Sequence, residues 1–538
     1  LENERRMAFV SAARFAADDT SGKVGGQVWQ MKTNGINPWL LVPAFFAGWL
    51  AHALLFAAPA IPAVAAHAAM QHPRTEFTRF LWLRSPQDYA AVAMTINVAV
   101  NQSSVEYAPP VVANGMLALV DLAQLADDEK QLARVVATWD WLAFFDPYFH
   151  LRADIRDKAV VVPAPHLGIA MPVGLVYRAD WFVAKSLSSI DGGAYLTWRG
   201  LTPGKTTLEG YLTSRGASLE NSKRLNAVER AGCMSQVTGK PRAIYTFYGQ
   251  GVRPSTSIPL ASVTDDPFDG RIPPDKDPFL SLLNSKPDGH EVFVTLPTGW
   301  LEYTLFDGNG KLVAEAPPNL VSDHNVPQPF TRRLHGAISC IRCHGPNDGW
   351  QPFRNEVADT FRSHGRLLSD LSKGVNKQFQ ATRQIVSFYA ADQSDIDGRI
   401  QDARDAWDKR VFAVTKLGAK DASAATAAVY DGYEYTLIDA SLACRELGFD
   451  VPAADTLGTN TFRKLIPPVE ASGSIPDHGH VSRLASDYLD LTTKQRKGLT
   501  ITRRQWEEIY PFLQARAMPV LEQVAREQNK HGFNLEAQ

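Results

Sequence analysis

The most regular pattern in the chain is an alternation of apolar and polar positions across residues 290–314. Residues 292–296 (VFVTL) alternate, Pro297-Thr298-Gly299 turns, residues 300–306 (WLEYTLF) alternate again, Asp307-Gly308-Asn309-Gly310 turns, and KLV returns. A period of two, broken by turns rich in Gly and Pro, predicts an antiparallel meander. Shorter apolar runs at 116–122 (MLALVDL) and 243–248 (AIYTFY) predict two further strands.

Helical spacing appears on either side. Ser85 or Asp88 is placed to cap a helix running to about Asn101. Asp127-Asp128-Glu129 opens a second one, with Leu132, Val135, Val136, Trp139 and Trp141 as its apolar positions. From residue 353 the chain reads as mostly helical: 396–416, 422–447 stopped by Gly448, 481–491, and 502–528 capped by Thr500 or Thr502. Residues 252–276, rich in Pro and Asp, read as a long surface loop, and 466–479 as a linker. The expected architecture is α+β: a mixed α/β part and meander over 70–330, then a mainly helical part over 331–538.

Residues 39–60 (WLLVPAFFAGWLAHALLFAAPA) contain no Asp, Glu, Lys or Arg. With Met31 as a start, and Ala66-His67-Ala68 as an A-x-A-like cleavage site, residues 1–69 are expected to hold an export signal. The apolar run is also long enough for an uncleaved membrane anchor. Residues 1–38 read as an extension ahead of it. The expected location is periplasmic or otherwise extracytoplasmic.

Composition removes several classes. A net charge of −2 gives no basic surface for nucleic acid. There is no G-x-G-x-x-G fingerprint and no P-loop, so dinucleotide binding and nucleotide hydrolysis have no foothold.

The chain has 4 Cys, and two of them stand in Cys340-Ile341-Arg342-Cys343-His344. This is C-x-x-C-H, the attachment signature of a c-type haem. Two thiols one helical turn apart reach both porphyrin vinyls from one side and form thioethers. The histidine that follows is then held under the iron as proximal ligand. A zinc knuckle would need a second Cys/His pair nearby, and a thioredoxin-like pair would need a βαβ setting. Neither is present in the pattern. The expected cofactor is therefore one covalently attached haem c, with its iron on His344. Attachment of such a haem takes place outside the bacterial cytoplasm, which agrees with the export signal.

The strings RFLWL, VDLAQL, DPYF and YRADWFVAKS occur in order over residues 79–185. GHEVFVTLPTGWLEYTLFDGNGKLVAEAPPNLVSD later leads into HGAISCIRCH, and DASLACRELGF follows. Collinear over about residues 79–450, this set resembles a planctomycete-type family of secreted mono-haem cytochrome c-like proteins, which read RADWFVA and NGLSCMSCH at the matching places. The resemblance implies export and one covalent haem, and implies no particular enzymatic activity.

Other residues bear on how a haem would be held. Arg332, Arg333 and Arg342 are candidates for its propionates, against a reading as solvated basic residues. Trp350 and Phe353 are candidate packing residues, and the meander is expected to wall the porphyrin. The Trp-rich stretch 138–149 reads as core ahead of haem wall. For a sixth iron ligand the sequence offers Met171, Met234, His290, His324, His335, His364, His478, His480, Met518 and His531, or none. His478-Gly479-His480 also suits a metal, or a polar loop. Cys233 and Cys444 either pair or stay as thiols. The expected function is transfer of single electrons between redox partner proteins. An open-site haem protein, a sensor of small ligands or a peroxidase-like enzyme, is the alternative.

Overall fold

A computed structural model describes residues 75–148, 176–217, 287–317, 321–356, 392–447 and 500–510. It also describes strands at 161–164, 169–172, 228–234, 241–247 and 261–265, and a few single positions near 65–73, at 359 and at 513. The chain divides into two compact units, 1–55 and 56–538, and every residue described belongs to the second. The apolar segment 39–60 and the stretches 466–479 and 481–491 lie outside the described residues. Among the described residues no helix is long and apolar enough to cross a membrane.

Strand β1 (Thr78–Trp82) leads into helix α1 (Pro86–Thr95), whose N-cap Ser85 accepts from the backbone N–H of Asp88. The helix then widens into a π-type turn over Ile96–Val100 that ends at Asn101, as the spacing predicts. Strands β2 (Val111–Val112) and β3 (Leu117–Asp121) follow. Helix α2 (Glu129–Phe144) starts at a reciprocal cap: Asp128 accepts from the Gln131 N–H at 2.7 Å, and Gln131 accepts from the Asp127 N–H at 2.7 Å. A small hairpin, β4 (Val161–Ala164) and β5 (Ile169–Pro172), precedes β6 (Val176–Arg178) and helices α3 (Ala179–Leu187), α4 (Tyr195–Trp198) and α5 (Leu208–Ser214). β2, β3, β1 and β6 form one mixed sheet in that order. Trp139 lies in the core between Tyr177, Phe182 and Trp198, so the Trp-rich stretch is core at that position.

The second sheet is a six-stranded antiparallel meander. Its strands are β7 (Val228–Met234), β8 (Pro241–Phe247), β9 (Ala261–Asp265), β10 (Gly289–Thr295), β11 (Leu301–Asp307) and β12 (Leu312–Val313), each beside the next. The meander read from 290–314 is therefore its last three strands. β9 departs from the expected loop over 252–276. Its sequence ASVTD is too short to signal a strand, and ladders on both sides fix it.

Helix α6 (Ile338–His344) carries the C-x-x-C-H motif. Helix α7 (Gln393–Thr415) ends where Lys416 turns left-handed at φ 64°. The helix expected over 422–447 is in fact two, α8 (Ala419–Glu434) and α9 (Ala440–Glu446). The break has a local cause. Ile438 leaves the helix to pair its backbone with Ile501, and Asp439 then caps α9 by accepting from the Leu442 N–H at 2.7 Å. Residues 503–510 are helical behind a Thr502 and Gln505 capping pair. α8 packs on α1, α3 and α6, so the motif helix rests on the same core as the N-terminal elements. The α+β class holds.

Candidate functional site

The site begins with the register of the meander. Glu291 on β10 stands opposite Thr264 on β9 and Leu305 on β11, while Thr264 stands opposite Ile244 on β8 and Leu305 opposite Val313 on β12. Phe293 stands in the next row of the same face, with Ser262 and Thr246. All of these residues line one cavity of about 960 Å³, near the upper end of the range for cofactor sites. The opposite face of the sheet is closed by ionic packing: Glu302, fully buried, accepts from Arg199, Arg215 and Tyr211.

Across the cavity from this sheet stands α6. Cys340, Cys343 and His344 all line the cavity, joined by Trp350 and Phe353 just beyond the motif. Cys340 is buried and Cys343 is exposed at the cavity's rim. Gly345 follows His344 because nothing larger fits there: a Cβ would lie 2.3 Å from that of Ser423 on α8. Gln351 donates to the Cys343 carbonyl at 2.9 Å and to its Sγ at 3.2 Å.

The His344 ring is gripped by the meander. Phe293 meets it edge-on with centroids 4.3 Å apart, and Tyr303 lies at 6.4 Å. Phe293 also touches Trp350 and Tyr303, which makes a continuous aromatic wall. His344 Nε2 lies 3.7 Å from Glu291 Oε1, beyond hydrogen-bond length but close enough for charge to matter. His344 Nδ1 is buried and has no hydrogen-bond partner among the described residues. Burial pushes the Glu291 carboxyl up, yet His344 and Arg242 outweigh it and hold the group below its ordinary range.

The thiols are kept protonated. Burial pushes Cys340 well up, and Glu291, Cys343 and Asp323 add to the effect. Cys343 is raised by burial and by Glu291, with Gln351 opposing. A redox-active C-x-x-C needs the reverse, a depressed thiol pKa. Among the described residues no group of three or more His, Cys, Asp or Glu is arranged to hold a metal ion. A haem asks for no such group, because the porphyrin supplies four ligands and the protein one imidazole. The donor set, the neutral thiols, the aromatic wall and the cavity volume all fit a covalently attached haem.

Other candidates fall differently. Arg342 does not face the cavity. It is buried, pairs with Asp323 at 2.8 Å and with Asp431, and lies over Tyr430 and Tyr435. Arg333 pairs with Glu315 and Asp191, and Arg332 donates to the Val326 carbonyl. None of these three lines the cavity, so their candidacy for the propionates finds no support. Among the described residues the arginines that do line it are Arg242 on β8, Arg399 on α7 and Arg354, ten residues beyond the motif; the first two stand far from the motif in sequence and are brought there by the sheet register and α7. Of the sixth-ligand candidates, His290 borders the cavity, His324 is exposed away from it, and His335 is buried elsewhere. His364, His478, His480, Met518 and His531 lie outside the described residues, as do the side chains of Met171, Met234 and Cys444. Cys233 is buried and lines the cavity at its β7 edge.

Comparison with protein-family models, with curated proteins and with solved structures finds no match for this chain.

Proposed function

We propose that this chain is an exported c-type cytochrome. Cys340 and Cys343 attach one haem by thioethers, His344 is its proximal iron ligand, and the protein passes single electrons between redox partner proteins. The observation that carries the reading is the convergence of all three C-x-x-C-H side chains on a cavity walled by Phe293, Leu305 and Trp350. The haem supplies the one-electron chemistry, and the protein tunes it through axial ligation and burial. The wall excludes water from one side, while the exposed Cys343 marks the edge from which an electron would leave. The apolar run at 39–60 would provide export, or an anchor to the membrane.

The test is co-expression with a c-haem maturation system. Expected are a mass gain of one haem resistant to denaturation and a reduced spectrum with c-type bands, both lost in Cys340→Ala/Cys343→Ala. A matured wild-type chain without covalent haem would overturn the proposal. A second reading, an open-site haem protein, is favoured by one observation: the side chain that lies 3.7 Å from His344 Nε2 is a carboxylate, a more readily displaced iron ligand than a Met or a second His. Ready binding of carbon monoxide by the ferrous protein would move that reading ahead.

A further inference from the structure

We infer that Glu291 is the group that faces the iron from the side opposite His344, so that the sixth position is taken by a carboxylate. This rests on the haem reading above and deepens it, naming the residue that sets the site's spin state and potential.

The argument is one of distance and register. Bonds from a first-row metal to an imidazole nitrogen or a carboxylate oxygen run about 2.0–2.2 Å, as at zinc. Two ligands on opposite sides of one ion are therefore about 4 Å apart. His344 Nε2, the nitrogen that a C-x-x-C-H histidine gives to iron, lies 3.7 Å from Glu291 Oε1. A shift of a few tenths of an ångström would admit an ion between them. Both residues line the cavity.

Register selects Glu291 over its neighbour. Successive side chains on a strand point to opposite faces. Glu291 and Phe293 share a face, and both approach His344. His290, although it too lines the cavity, stands on the other face of β10, paired with Phe306 and Asp265. The nearest histidine in sequence is thus turned from the iron by the pleat, and the carboxylate beside it is turned toward the iron.

An anionic oxygen is a hard ligand. It favours ferric over ferrous iron and leaves the iron high-spin, unlike a Met or a second His. The experiment uses the matured haem protein and three variants, Glu291→Gln, Glu291→Ala and Glu291→His. Each is first checked by mass for covalent haem, and each is read by ferric electron paramagnetic resonance, ultraviolet-visible spectra and redox titration.

The wild type is expected to be high-spin when ferric. Glu291→His is expected to turn it low-spin with two axial imidazoles and to slow carbon monoxide binding at least tenfold. Glu291→Gln, almost unchanged in shape, is expected to favour the ferrous state at least tenfold, a rise of about 59 mV for one electron. A low-spin wild type, or a Glu291→His protein that carries haem with the wild-type spectrum, would overturn the inference while leaving the haem reading intact. If Glu291→His fails to mature, an unchanged potential in Glu291→Gln overturns it equally. Absence of covalent haem from the wild type would instead bring down the reading beneath it.

Discussion

Arg342 stands between the two cysteines of the motif, yet its guanidinium turns from the cavity and holds Asp323 at 2.8 Å, with both side chains 3% exposed. A second arm reaches Asp431 on α8, and Tyr430 lies under the guanidinium at 5.1 Å. The variable position of C-x-x-C-H is thus used to bolt the motif helix to the core. Removing one partner of a buried pair leaves an uncompensated charge and costs about 3–5 kcal/mol. Arg342→Met is expected to lose that much in urea unfolding, with Arg342→Lys intermediate because an ammonium lacks the planar fork. The double variant Arg342→Met/Asp323→Leu is expected to recover most of the loss. A single variant within about 1 kcal/mol of the wild type would mean that the pair is only surface-like in strength.

Gly345 and Ser423 define how closely α6 approaches α8. Adding one methyl at 345 would place it 2.3 Å from the Ser423 Cβ, a distance that forces the two helices apart. Gly345→Ala is expected to destabilise the protein by about 1–3 kcal/mol, the usual cost of overpacking. Ser423→Gly in the same chain should restore part of it. Differential scanning calorimetry of the three variants checks the coupling, and independent, additive effects would count against a direct contact.

Much of this was open to reading in the linear chain. The 290–314 alternation marks three strands because each turn carries its own Gly or Pro, and C-x-x-C-H stands out because its residue types and spacing form a specific signature. β9 was not legible: five residues give too little pattern, and only ladders from β8 and β10 make them a strand. The break between α8 and α9 was hidden for a similar reason, since Ile438 finds its partner in Ile501, far along the chain. Side-chain direction was equally out of reach. Arg342 has two readings in sequence and Glu291 carries no signal there, and tertiary contacts send the first away from the cavity and the second into it.

Phe293 links the meander to the motif, touching His344, Tyr303 and Trp350. Phe293→Ala removes a buried ring from that wall and is expected to cost about 3–5 kcal/mol. It also frees His344, so the loss of order should be local as well as global. Hydrogen exchange at 338–344 is expected to quicken more in Phe293→Ala than in Phe306→Ala, on the other face of the sheet. Equal changes in the two variants would show that the wall does not restrain the motif.

Acid should weaken the fold in a defined window. Burial, reinforced by Arg342, pushes the His335 imidazole down to about 4. The unfolded side chain takes its proton near 6.5. Between those values the unfolded chain binds a proton that the fold refuses, so the contribution is complete above about pH 6.5 and is lost as pH falls toward 4. The gap is worth ~3 kcal/mol. Glu302 and Glu446 act in the same direction lower down. Burial pushes each up, but Arg199 and Arg215 around the first, and Arg503 and Arg178 around the second, hold both below the usual carboxylate range. Asp146 has the opposite sign: burial raises it to about 7, so its contribution is present in acid and is lost as pH rises from about 4 through 7. Urea unfolding at pH 7.5, 6 and 4.5 is therefore expected to show a shallower decline on acidification in His335→Phe than in the wild type. Asp146→Asn should be the more stable protein at pH 7.5, and should lose that advantage at pH 4.5. An unchanged pH slope in His335→Phe would mean that this imidazole takes up its proton in the fold as readily as in water.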